Sequence, residues 1–183
     1  KINLLGKSNV LKKFDLETDK YITFQTGCGK RTNGNIRNWS IENYNKLVQL
    51  LHKKYPEYKL VQLGIENTDY IDETDLDLRG KTNFNDLLVL LKNAKLHIDI
   101  EAGCVHFRHF LCAKPSVVLF GPTNKDFFGY PENMNISANV CSGCEWVHNN
   151  WNNFCVKNDS KTAVCMCTIT PNMVMKNIVE VLK

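Results

Sequence analysis

The chain has 183 residues, 43% hydrophobic and 23% charged, which supplies enough apolar material for one domain with a full core and excludes intrinsic disorder. Its longest apolar run, Leu87 to Leu91, is far short of the roughly 20 residues a spanning helix needs, so no transmembrane segment is expected. The net charge is only +4, carried mostly by scattered lysines, which argues against a dedicated nucleic-acid binder.

Residues 1–20 show no sustained period and no apolar export signal, and they read as a lead-in or interdomain linker. The domain proper is expected over 21–183. Tyr21 to Gln25 is rich in β-branched and aromatic residues, as a strand is, and a stretch with Gly27, Gly29 and Gly34 follows. Ser40 stands at an N-cap position, and Ile41, Tyr44, Leu47, Val48 and Leu51 then recur at helical spacing up to Pro56. Lys59 to Leu63 reads as a second strand. The polar connection from Gly64 to Asp77 is expected to hold some helix. Phe84, Leu87, Leu88, Leu91 and Ala94 mark another helix, capped by Thr82 or Asn83. Leu96, Ile98 and Ile100 alternate as a strand, a helix is expected from Cys104 to Ala113, and Ser116 to Phe120 forms a further strand. Strands alternating with helices imply an α/β fold, an open parallel sheet with helices on both faces.

Residues 124–169 break this rhythm as a cysteine-rich irregular segment, and Thr170-Pro171 opens a closing helix over 170–183. Five of the eight cysteines lie in that segment, so the chain reads as an ordinary domain with one local cluster, in a reducing cytoplasm. Cys141-x2-Cys144, with Cys155 and Cys165, offers four thiolates suited to a structural zinc or iron ion, and Cys167 is a nearby substitute. Disulfides and plain buried thiols are the alternatives. Trp146, His148, Trp151 and Phe154 either present a docking surface or pack around the cluster, the more common fate of aromatics.

In such a sheet, ligands bind beyond the carboxyl ends of the strands. Four junctions there carry chemistry: Thr26-Gly27-Cys28-Gly29 leading to Arg37, Gly64-Ile65-Glu66, Glu101-Ala102-Gly103-Cys104-Val105-His106, and Gly121-Pro122-Thr123. Glycine turns and helix N-termini present backbone N–H groups to anions, and Arg37 adds a fork matched to phosphate oxygens. Glu66 can accept from a ribose diol, and His106 can donate to a phosphate. Each has a bland counterpart as turn, cap or solvated surface. No Walker A loop and no GxGxxG pattern is present.

Arg37-Asn38-Trp39, Leu78-Arg79-Gly80-Lys81-Thr82, Glu101 to His106 and Phe120-Gly121-Pro122-Thr123, taken in order, resemble the C-terminal half of the family 9 glycosyltransferases, the ADP-heptose:lipopolysaccharide heptosyltransferases. The resemblance implies the donor-binding half of a GT-B enzyme, a Rossmann-like sheet facing a second such half across a cleft. It implies transfer of a sugar, heptose foremost, from an ADP-sugar to a bacterial glycan or protein acceptor. Arg37 stands where the family usually has Lys, and Glu101 and Ala102 replace the acid and hydroxyl of its Asp-Ser/Thr-Gly-x-x-His motif, while Gly103 and His106 match. Glu66, Gly121, Pro122 and Thr123 match donor-contacting positions of the family, Thr26 and Gly27 are expected to bind the substrate from the first junction, no metal is needed for transfer, and some relatives carry an iron-binding cysteine finger. The general base belongs to the N-terminal half, and the enzyme would act in the cytoplasm, with peripheral attachment to the inner membrane as an option. Two other readings stay open: a non-catalytic nucleotide-binding module, and a metal-stapled protein-interaction domain.

Overall fold

The computed structural model describes residues 7–27 and 36–182. Six strands, β1 (Tyr21–Phe24), β2 (Lys59–Gln62), β3 (Leu76–Asp77), β4 (Leu96–Ile100), β5 (Ser116–Phe120) and β6 (Met134–Ser137), form one all-parallel sheet in the order β3-β2-β1-β4-β5-β6. Among the described residues seven helices accompany them: α1 (Lys7–Lys13), α2 (Ile41–Lys54), α3 (Phe84–Asn93), α4 (Gly103–Phe110), α5 (Lys125–Phe128), α6 (Val164–Thr168) and α7 (Pro171–Ile178).

Successive side chains on a strand point to opposite faces, and the two faces bury separate cores. Ile22, Phe24, Ile98, Ile100, Val117 and Leu119 pack with Leu47, Val48 and Leu51 of α2 and Val174 and Ile178 of α7. On the other face, Tyr21, Val61 and Leu63 pack with Val89, Leu90 and Leu91 of α3 and Val10 and Leu11 of α1. Strands β4 and β5 are buried along their whole length because helices cover both sides.

Four expectations are corrected. The supposed lead-in contains α1, whose Val10 and Leu11 are buried and whose Lys13 pairs with Asp86 at 2.7 Å; two turns are too short to display a period. The connection from Gly64 to Asp77 holds β3 and no helix, its backbone being fastened by side chains: Gln62 Nε2 donates to Asp69 O at 2.6 Å, and Ile71 N–H donates to Gln62 Oε1 at 2.8 Å. The segment 124–169 is not wholly irregular, since it contributes α5, β6 and α6. Helix α4 also stops at Phe110, short of Ala113, with Cys112 in the left-handed region at φ 48°.

Strand order proceeds from β1 outward to β3 in one direction and from β4 to β6 in the other. The connections leaving β1 and β4 therefore diverge, and a crevice opens at their carboxyl ends. The turn carrying Arg37 is anchored there by Trp39, which is 3% exposed, stacks edge-on against Tyr44 and donates Nε1–H to Ile169 O at 2.7 Å. Ile169 is fully buried, so Trp39→Phe would strand its carbonyl. That change is expected to cost about 1–3 kcal/mol, read as a lower urea midpoint with an unchanged slope.

Candidate functional site

A cavity of about 450 Å³ lies at the carboxyl ends of β1, β2 and β4. Gly27, Gly64 and Gly103 line it with backbone, Gln25, Thr68, Thr82 and Asn83 add polar atoms, and Leu87, Cys104 and Phe107 make an apolar wall. Phe84 meets Phe107 edge to face at 5.3 Å between ring centroids yet stays 60% exposed, which leaves aromatic surface at the mouth. Gly27 and Gly103, distant in the sequence, thus share one pocket.

A second group of expected residues converges beside it. Arg37 Nη1 pairs with Glu101 Oε2 at 3.2 Å, and Glu101 Oε1 meets His106 Nε2 at 3.2 Å. His106 Nδ1 is 2.8 Å from the Tyr130 hydroxyl, and the Tyr130 ring stacks on His109 at 3.7 Å. Glu101 is long enough to reach a guanidinium on one side and an imidazole on the other. Ala102 caps α4 without a side-chain hydrogen bond, so no cap side chain serves the first-turn N–H groups of that helix.

The remaining expected residues are placed as follows. Thr26 is buried, and its hydroxyl donates to Asp69 O at 2.8 Å, so it holds the neighbouring loop instead of lining the cavity. Glu66 is exposed and packs beside Gly80, whose positive φ of 68° brings the turn after β3 against it. Gly121 O accepts from Gly143 N–H at 3.2 Å, Pro122 O accepts from Glu145 N–H at 3.0 Å, and Thr123 is buried. Cys28, Gly29 and Gly34 lie outside the described residues.

Among the cysteines, Cys155 and Cys165 are buried and Cys141 and Cys144 half-buried, while Cys167 is exposed. Burial pushes the Cys165 thiol up to about 12, and its neighbours Cys141, Cys144 and Cys155 add to the shift. Burial likewise raises Cys144, helped by Cys155 and Cys141. The four expected ligands thus feel one another's charge, yet no three of their sulfur atoms all lie within 4.8 Å of one another. Trp146 is 78% exposed and Val147 70%, contrary to the expectation of a small core around the cluster; Trp146 rests its ring on Trp151 instead.

A different trio has tighter spacing: His97, Asp99 and Cys104 are the His, Cys, Asp or Glu group among the described residues whose ligand atoms all fall within 4.8 Å, and it could hold a metal ion. All three are buried. The Thr23 hydroxyl donates to Leu96 O at 3.3 Å and so accepts from His97 Nδ1 at 2.9 Å, which leaves Nε2 as a bare lone pair 3.3 Å from Asp99 Oδ2. Two acceptors facing each other require a positive charge between them. Burial supplies it as a proton, since it holds the Asp99 carboxyl well above the usual carboxylate range and His97 well below the imidazole range.

Sequence reasoning missed Gln25, Tyr130 and this trio. His106 and His109, three residues apart on α4, share a helix face and could have signalled a common partner such as Tyr130. His97 and Asp99 alternate on β4 in the same way, pointing to one face.

The sequence profile of glycosyltransferase family 9 (heptosyltransferase) matches residues 2–161. The fold is similar to that of the ADP-heptose lipopolysaccharide heptosyltransferase II of E. coli, with a TM-score of 0.72 and 18% identity over 100% of this chain and 52% of that one. It is similar to E. coli heptosyltransferase WaaC, solved with ADP, with a TM-score of 0.62 and 15% identity over 96% and 48%. It is also similar to the dodecameric iron-containing heptosyltransferase TibC of enterotoxigenic E. coli, solved with ADP-D-β-D-heptose, with a TM-score of 0.71 and 16% identity over 91% and 46%. The chain thus spans about half the length of these solved relatives. No curated protein sequence matches it.

The His97–Asp99 pair sets a pH response whose sign follows from proton counting. Unfolded, Asp titrates near about 3.9 and His near about 6.5. Between those values both states hold one proton, on His97 when unfolded and on Asp99 when folded, and the pair gives no slope. Above about pH 6.5 the unfolded chain releases its proton while the folded one keeps it, so stability falls as pH rises, by up to about 1.4 kcal/mol per unit. Asp99→Asn removes the folded-state proton and is expected to flatten that decline, compared by urea midpoints at about pH 7 and 9.

Proposed function

Since the chain belongs to glycosyltransferase family 9, we propose that it is the donor-binding half of an enzyme that transfers a sugar, most naturally a heptose, from an ADP-sugar to a bacterial surface glycan or protein. The observation that carries this is the convergence of Arg37, Glu101 and His106 beside a glycine-lined cavity at the sheet's point of reversal. The diphosphate lies against Arg37, His106 and the first-turn amides of α4. The base enters the cavity against Phe84 and Phe107, with the ribose toward Glu66. The solved complexes of WaaC with ADP and of TibC with ADP-D-β-D-heptose support the choice of nucleotide.

When the bond from the anomeric carbon to the diphosphate breaks, negative charge grows on the departing ADP, and donors already in position stabilise it without reorganising. Glu101 pairs with both Arg37 and His106, and the incoming diphosphate takes over both. The base that deprotonates the acceptor hydroxyl is assigned to the other half of the enzyme, so this half alone binds donor and transfers little. The described residues include no helix long and apolar enough to cross a membrane. The reaction is assigned to the cytoplasmic side, where the acceptor meets the inner membrane surface.

The thiols of Cys141, Cys144, Cys155 and Cys165, close enough to influence one another's titration, are assigned to a tetrahedral zinc or iron site that their sulfurs would draw together to form. Such an ion would cross-link the long segment between β5 and α7; it supplies order and takes no part in transfer.

Calorimetric titration with ADP is expected to give saturable heat, and Arg37→Ala to weaken binding by roughly 10- to 100-fold, the worth of a charge-assisted phosphate contact. Equal affinity in the two proteins would remove phosphate recognition from this reading. Elemental analysis of chain purified without added metal is expected to give about one equivalent of zinc plus iron, and a small fraction of that in a Cys141→Ser, Cys144→Ser variant. Folded native chain without metal would dismiss the assignment.

A further inference from the structure

The cysteine segment does more than sit beside the donor loop. Gly143, inside the Cys141–Cys144 knuckle, donates to Gly121 O at 3.2 Å, and Glu145, immediately after it, donates to Pro122 O at 3.0 Å. From the other side, α6 closes over Gly121 so tightly that a Cβ there would lie 3.2 Å from Cys165 Sγ and 2.5 Å from Met166 Sδ. The same segment reaches the turn that carries Arg37, where Ile36 N–H donates to Asn152 O at 3.4 Å. Knuckle, loop and arginine turn are thus tied to one another through backbone.

This clamping fixes where Glu145 stands. Its backbone is joined to Pro122 at 3.0 Å, and its carboxylate lies toward the Asn124 N–H, near enough to Arg37 and Glu101 to feel the opposite charge of one and the like charge of the other. A carboxylate in that position repels a diphosphate. It is suited instead to a group rich in O–H donors, because O–H···O⁻ bonds are among the stronger hydrogen bonds available. In a nucleotide-sugar held by its diphosphate at Arg37, the part that supplies hydroxyls next to the diphosphate is the sugar.

We propose that Glu145 is a donor-contacting residue that recognises sugar hydroxyls and not the nucleotide, with its position set by the cysteine knuckle. The proposal rests on the donor-site reading given above. It adds a specificity element that comes from the segment between β5 and α7, outside the four strand-end turns. It also gives the knuckle a role in the site: moving Cys144 moves Glu145.

The test separates sugar from nucleotide. Native chain, Glu145→Gln and Glu145→Ala are titrated with ADP, ADP-glucose and ADP-heptose, with the circular dichroism of each variant compared to confirm the fold. The expected result is ADP affinity within about 3-fold of native for both variants, and a loss of roughly 10-fold or more for whichever ADP-sugar the native chain prefers over ADP. Glu145→Gln, which can still accept one hydrogen bond, retains part of that preference. Equal losses for ADP and ADP-sugar would make Glu145 a merely structural residue and overturn the proposal, as would ADP-sugar binding untouched by either change or a native chain that prefers neither sugar over ADP. Absence of any ADP binding by the native chain would fell the donor-site reading itself, an outcome distinct from these.

Discussion

A parallel sheet must carry its chain back over one face after every strand, and handedness fixes the side on which each return runs. Here the strand order reverses between β1 and β4, so the two returns part company at that point. The cavity, the Arg37 turn and the uncapped start of α4 all border that gap. Moving either strand by one place in the order would shift these groups apart by a strand spacing, about 5 Å, along the same edge.

The polar groups buried within the fold are handled by two different means. Arg108, 1% exposed, is satisfied by the chain itself: it donates to Ser116 Oγ at 3.1 Å, to Lys114 O at 2.6 Å and to Leu91 O, which joins α3, α4 and the entry to β5. Burial pulls it down to about 10, and it remains a cation at neutral pH. Glu101, by contrast, is satisfied by groups that a ligand would also want, so its contacts are exchangeable. The first arrangement gives rigidity beneath the site, and the second gives adaptability at its surface.

What could be read from the sequence followed from length and period. Strands β1, β2, β4 and β5 and helices α2 and α3 announce themselves through sustained apolar spacing, whereas α1, β3, α5 and α6 span between two and seven residues and offer no full period to detect. Arg37, Glu101 and His106 were legible because turn position and side-chain chemistry coincide. Thr26 was misjudged, since its hydroxyl is consumed by Asp69 O, and nothing local in the sequence foretells so distant a partner. Tyr130 and Glu145 reach the site from a stretch with no periodicity, by contacts that exist only once the sheet has formed.

Strand β3 carries one last implication. It lies at the margin of the sheet, is two residues long, and its final residue, Asp77, turns its carboxylate back onto Arg79 at 2.9 Å. So brief a border offers a visiting polypeptide almost no ladder to extend. Along that flank, strand addition has little backbone to extend, and an assembly made there has to use helices or loops.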